Sequence, residues 1–317
     1  MPWDVSLRGV RNDSGKQLLK GVSRSFYLSL RLLPGPMRGA ASLGYLLART
    51  SDTLADTAAA PADVRIECLE RFGHAVAGTM APPRWPLSFV NAIGDPRERR
   101  LLEESSALFT WLGTLPAGEA ELVREVVAII IGGQRLDLDR FAHADQTRPA
   151  VLPDDAALED YAWRVAGCVG AFWTKLGFLT LRERFSAAPA HGLSDMGIAF
   201  GKGLQLVNIL RDLPADLAAG RCYLPVADPH DTAGLLESHA RWVRRAWEWV
   251  GSGFAYADTL HCRRLRAATV LPAVLARETL ERLRGAAWED LQTRVKVPRT
   301  RVYLALARAL AGGFGLR

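Results

Sequence analysis

Long apolar runs are missing from this chain. The longest, Val126 to Ile131, falls far short of the roughly 20 residues that a membrane-spanning helix needs. The N-terminal stretch MPWDVSLRGV lacks the charged-then-apolar layout of a signal peptide, which points to a cytoplasmic protein. Cysteine is scarce too. Cys68, Cys168, Cys222 and Cys262 form no CxxC pair, which argues against a zinc site, a redox pair or a disulfide framework. The histidines include no HExxH, so a zinc hydrolase is disfavoured. Strand-like alternation is rare, and neither an internal repeat nor a low-complexity linker interrupts the sequence.

What is present is helical. Apolar residues recur at steps of three and four, and a content of 49% hydrophobic and 23% charged residues is that of a soluble globular chain. Clusters of Pro, Gly and Asp predict breaks at 34–36, 81–96, 115–118, 142–153, 186–191 and 220–232. The expectation is a single all-α domain over residues 1–317. The net charge of +6 is concentrated in residues 221–317, which carry 16 Lys and Arg against 9 Asp and Glu. Such clustering suits a phosphate-bearing ligand, an anionic membrane face or a merely solvated basic surface. No recognisable binding motif speaks for nucleic acid. Gly197, Gly201, Lys202 and Gly203 look superficially like a phosphate loop, but three residues rather than four separate Gly197 from the Gly-Lys pair, and the context is helical.

Two aspartate pairs stand out from this background. In GYLLARTSDTLADT, Tyr45, Arg49, Asp52 and Asp56 follow one another at steps of four, three and four, which places them on one helical face. In LQLVNILRDLPAD, Gln205, Asn208, Arg211, Asp212 and Asp216 repeat that logic, and Gly220 and Pro225 mark the helix end. Pro214 inside the second pattern either kinks the helix or ends its regular part early. Carboxylates four residues apart on a helix repel one another, so each pair calls for a cation. Hard oxygen donors suit Mg²⁺, and the arginines beside them offer forked donors for phosphate oxygens.

Two further segments carry weaker signals. Ser23, Arg24 and Ser25 form a donor cluster at an expected helix start, suited to phosphate or to plain capping. In YAWRVAGCVGAFW, Tyr161, Val165, Cys168 or Val169, and Phe172 share a stripe. The small residues Ala166, Gly167 and Gly170 there allow either close helix approach or room for a bulky ligand. Tyr161 opens that apolar face with a hydroxyl that needs a partner.

Taken in order, SRSF, DTLAD, YAWRVAG and NILRDLPAD closely resemble the motifs of the squalene and phytoene synthase family of head-to-head prenyl transferases, from about Gly21 to Pro225. The resemblance implies an all-α isoprenoid synthase fold whose central cavity carries the aspartate motifs on opposite walls. It implies two prenyl diphosphate substrates and Mg²⁺ held by Asp52, Asp56, Asn208, Asp212 and Asp216. Diphosphate contacts would come from Ser23, Arg24, Ser25, Tyr45, Arg49, Arg211 and Arg221, with Gln205 lining the site. Tyr161 occupies the position of the family's catalytic tyrosine, to assist proton removal or to orient the departing diphosphate. The aromatic faces of Phe26 and Phe172 are candidates to stabilise a cation.

Within the family, LLARTSDTLAD and GVSRSF are worded more like squalene synthases. The expectation is condensation of two farnesyl diphosphates to squalene with NADPH, the alternative being a phytoene, dehydrosqualene or presqualene diphosphate synthase without NADPH. No C-terminal membrane anchor is expected. Arg241, Trp242, Arg244, Arg245, Trp247 and Trp249 form a basic, aromatic segment that suits either peripheral contact with an anionic membrane or a surface helix with its tryptophans packed inward. Residues 294–301 are a further source of diphosphate contacts.

Overall fold

A computed structural model describes residues 15–293 apart from 16 and 23–25. Ser23, Arg24, Ser25 and the segment 294–301 therefore lie outside the described residues, as does the side chain of Phe26. The expected helical character holds throughout. The elements run α1 (Phe26–Leu32), α2 (Gly35–Asp56), α3 (Ala62–Ala77), α4 (Leu87–Ala92), α5 (Pro96–Glu103), α6 (Ser105–Leu112) and α7 (Ala117–Arg140). They continue with β1 (Ala150–Val151), α8 (Asp155–Ala162), α9 (Cys168–Leu181), α10 (Ala190–Ala218), β2 (Arg221–Cys222), α11 (Thr232–Asp258), α12 (Arg263–Leu283) and α13 (Trp288–Gln292). Helix starts follow local chemistry: the side chains of Asp95, Asp154 and Asp231 cap α5, α8 and α11 by accepting backbone N–H groups.

The contacts group the chain into two compact units, one taking in residues 35–138 and the other residues 139 onward. In the first unit α2 is buried on most of its surface, with Leu43, Leu46, Leu47 and Leu54 fully enclosed. Thr50, Ser51, Thr53 and Thr57 are buried as well, and each hydroxyl donates to a carbonyl three or four residues back. That internal satisfaction removes the cost of burying them. The stripe of Tyr45, Arg49, Asp52 and Asp56 is left as the polar face that keeps some exposure.

In the second unit, α10 is the longest helix and packs through its glycines. A Cβ on Gly170 would meet the Gly197 carbonyl oxygen at 1.9 Å, and one on Gly201 would meet the Ala166 oxygen at 2.3 Å. Of the two roles open to the small residues of 166–170, close helix approach is what the structure displays. Each interior glycine costs a helix about 1 kcal/mol relative to alanine, which the backbone contact offsets. The Gly197–Gly203 cluster is thereby accounted for as packing.

Three local features depart from a plain helical reading. First, Trp163–Gly167 is a π-helical turn between α8 and α9; such turns recur at functional sites. It leaves Cys168 rather than Val169 buried on the stripe with Tyr161 and Phe172. Second, α10 runs unbroken through Pro214, against an early end. Proline removes the N–H that would serve the Leu210 carbonyl, and Nε2 of buried His239 on α11 lies 3.2 Å from that oxygen. A carbonyl only accepts, so Nε2 carries the proton. Burial holds the His239 pKa below its ordinary value. Third, the breaks at 142–153 and 220–232 meet as a parallel two-residue pair, Ala150 opposite Arg221 and Val151 opposite Cys222.

Candidate functional site

The first aspartate pair is shaped by partners from distant helices. Arg49 pairs with Glu98 of α5 and reaches Asp52 at 3.5 Å. Gln134 of α7 donates from Nε2 to Asp52 Oδ1 at 2.5 Å. The Tyr45 hydroxyl donates to the Val22 carbonyl at 3.3 Å. Desolvation, with repulsion from Asp56 second, pushes the Asp52 carboxyl up to about 7, against the pull of Arg49 and Gln134. The Asp52 side chain keeps 40% of its exposure, so water relieves part of that push. At neutral pH this carboxylate is thus under-compensated, the condition in which a cation is welcome. Arg49 is held above its ordinary value by Asp52 and Glu98 in spite of its own desolvation.

The second pair is compensated locally. Arg211 grips its neighbour Asp212 with two bonds, Nε to Oδ1 at 2.9 Å and Nη2 to Oδ2 at 2.5 Å. That bond raises the Arg211 pKa. Arg221 Nη2 donates to Asp216 Oδ1 at 3.1 Å. Arg221 is delivered by the strand pair: Ala150 N donates to Gly220 O at 2.9 Å and Leu152 N to Cys222 O at 3.0 Å. Gly220 has φ of 80°, and a Cβ there would meet the Asp145 backbone N at 2.6 Å, so this turn requires glycine. Asn208 is exposed one turn before Asp212, and Gln205 is half-buried.

In the same unit, Tyr161 is 8% exposed and stacks on Tyr223, with ring centroids 4.8 Å apart and the two hydroxyls 3.5 Å apart. Phe141 meets the Tyr223 ring edge-on at 5.3 Å. Tyr223, Gln134 and Glu98 escaped the sequence reading. Tyr223 had a signal, two residues beyond Arg221 in GRCYLP, and Gln134 had one, an amide closing an apolar helix run; Glu98 had none.

The tryptophans of the basic segment turn inward: Trp242 is 3% exposed, Arg277 caps Trp247 at 3.9 Å and Lys202 Nζ caps Trp249 at 4.0 Å. Arg241 pairs with Asp155, and Arg245 with Glu159. The inward packing of the tryptophans is what the surface-helix alternative expects. No described helix is long and apolar enough to cross a membrane.

Among the described residues no three His, Cys, Asp or Glu side chains converge on one point. Paired carboxylates of this kind fit Mg²⁺, which binds through one or two carboxylates and completes its shell with waters and substrate phosphates. The under-compensated Asp52 fits the same ion.

Residues 19–301 match the family model described as squalene/phytoene synthase, a family of prenyl transferases that join two prenyl diphosphates head to head. The presqualene diphosphate synthase of Zymomonas mobilis is 27% identical over 298 residues, covering 90% of this chain and 88% of that protein. The presqualene diphosphate synthase of Rhodopseudomonas palustris is 30% identical over 206 residues, covering 64% of this chain and 59% of that one. A squalene synthase solved with a bound ligand (TcSQS) has the same fold, with a TM-score of 0.78 at 22% identity, covering 95% of this chain and 86% of that chain.

Proposed function

Because the chain belongs to the squalene/phytoene synthase family, we propose that it condenses two farnesyl diphosphates head to head and releases presqualene diphosphate. The observation that carries this product is the near full-length likeness to a presqualene diphosphate synthase.

In this reading Asp52, Asp56, Asn208, Asp212 and Asp216 hold Mg²⁺, which when bound supplies the positive charge that makes one diphosphate a leaving group. Arg49, Arg211 and Arg221, together with Tyr45, receive the diphosphate oxygens. To do so each arginine exchanges a carboxylate of the chain for a phosphate oxygen, and it remains a forked donor to a planar or tetrahedral anion throughout. Loss of the diphosphate leaves an allylic cation, and the double bond of the second chain attacks it. Loss of a proton then closes the cyclopropane, while the second diphosphate stays on the product. Tyr161 and Tyr223 are both nearly dry, so their faces stabilise the cation without offering water to quench it, and the Tyr161 hydroxyl lies on Tyr223 as a path for the departing proton.

A second reading, reduction onward to squalene with NADPH, draws on the wording of the first motif, LLARTSDTLAD. Incubation with farnesyl diphosphate and Mg²⁺, with and without NADPH, separates the two. Presqualene diphosphate under both conditions supports the first. Squalene appearing on addition of NADPH replaces it with the second, and turnover of neither farnesyl nor geranylgeranyl diphosphate removes both.

A further inference from the structure

Gln134 stands one helix away from the first aspartate pair and touches it. It is 8% exposed on α7, and its Nε2 donates to Asp52 Oδ1 at 2.5 Å. Its other end is idle: Oε1 is buried and meets no donor among the described residues. A glutamine buried to tie two helices together ordinarily uses both ends of the amide, since an unpaired buried oxygen is costly. Here one end is satisfied, and that end lies on the Asp52 carboxylate. With Asp52 ionised, the state in which it meets a cation, its oxygens only accept, and the amide presents Nε2 to it.

We infer that Gln134 is a positioning residue for Asp52, fixing the carboxylate by a donor at Oδ1 so that it meets a divalent cation in one orientation. The inference rests on the proposed role of Asp52 as a metal ligand. A carboxylate oxygen takes more than one partner, so the bond sets the direction of the group without using up its capacity. Arg49 cannot do this alone, because it is shared between Asp52 at 3.5 Å and Glu98. Arg49 is also the group that leaves for phosphate in the proposed reaction. Gln134 is neutral and binds no phosphate there, so it holds Asp52 through that exchange. Donors that orient a metal ligand in this way typically change metal affinity by about 10- to 100-fold when removed.

The test is Mn²⁺ binding followed by electron paramagnetic resonance in the presence of farnesyl thiodiphosphate, an unreactive substrate analogue. It compares the unaltered protein with Gln134→Met, which keeps length but not the donor, and Gln134→His, whose Nε2 restores a donor at nearly the same reach. Gln134→Met is expected to weaken Mn²⁺ binding about tenfold or more. The Mg²⁺ concentration for half-maximal turnover should rise in step, with kcat at saturating Mg²⁺ and the melting temperature little changed. Gln134→His should recover part of the loss. Gln134→Met binding as tightly as the unaltered protein, or Gln134→His no better than Gln134→Met, would overturn the inference. Failure of the unaltered protein itself to bind Mn²⁺ would instead overturn the metal role of Asp52, and the positioning role with it.

Discussion

The two aspartate pairs have the same spacing but are not equally compensated. In α10 each carboxylate has a guanidinium close in sequence: Arg211 is adjacent to Asp212, and Arg221 lies just past the helix end from Asp216. In α2 the single arginine of the motif is shared with Glu98, and the remaining donor to Asp52 is a neutral amide 82 residues away. The α10 pair is therefore compensated before any ligand arrives, whereas Asp52 is pushed up to about 7. A motif repeated in sequence is not a motif repeated in energy. The chain's own charges set how much a cation gains at each carboxylate, and at Asp52 that gain is large.

Several measurements would break or sharpen that contrast. The largest effect is expected from the carboxylates themselves. Asp52→Asn and Asp216→Asn should each lower turnover by roughly 10²- to 10³-fold, the order lost when a preorganised charge-stabilising group is removed. Steady-state rates with farnesyl diphosphate check this, and near-normal turnover in either variant would take that pair out of the chemistry.

The second effect concerns packing. Gly170→Ala drives a Cβ into the Gly197 backbone, whereas a Cβ at Gly73 on α3 meets only Ile131 side-chain atoms at 3.6 Å or beyond. Thermal unfolding should give a loss of about 3 kcal/mol or an outright failure to fold for Gly170→Ala. Gly73→Ala should stay within about 1 kcal/mol or gain stability. Equal outcomes would mean the second unit is not packed on its glycines.

A smaller loss, about 1–3 kcal/mol, is expected for His239→Phe, which leaves the Leu210 carbonyl unserved. If stability is unchanged, the carbonyl has found water or another donor.

The smallest and most specific effect is on pH. The Asp52 carboxyl is raised from 3.8 to about 7 in the folded, metal-free protein. Its contribution to stability is therefore fully present below the unfolded value and is lost as the pH rises through about 7. Melting temperatures of metal-free protein between pH 5 and 8 should carry this decline, and Asp52→Asn should flatten it. The same slope in both proteins would assign the decline to other groups.

Much of this was legible before any coordinates. Helical periodicity and the Pro and Gly breaks marked most of the elements because both are local rules, acting within a few residues, although α4 (Leu87–Ala92) lies inside the break expected at 81–96. Gly220 as a helix terminator was readable for the same reason, and its φ of 80° bears it out. Pro214 was read through a local rule that a tertiary contact overrode, since His239 lies on another helix. Tyr223 and Gln134 were hidden because what gives them a role is a neighbour in space rather than a spacing in sequence.

The sequence by itself determined the helical class, the family, the two polar stripes and the hard-oxygen chemistry they offer, all of which depend on residue type and on steps of three and four. Tertiary structure alone decided which carboxylate is short of positive charge, which donor orients it, and which tyrosine stacks on Tyr161. Charge compensation and desolvation depend on distances between groups far apart in the chain, and no periodicity records them.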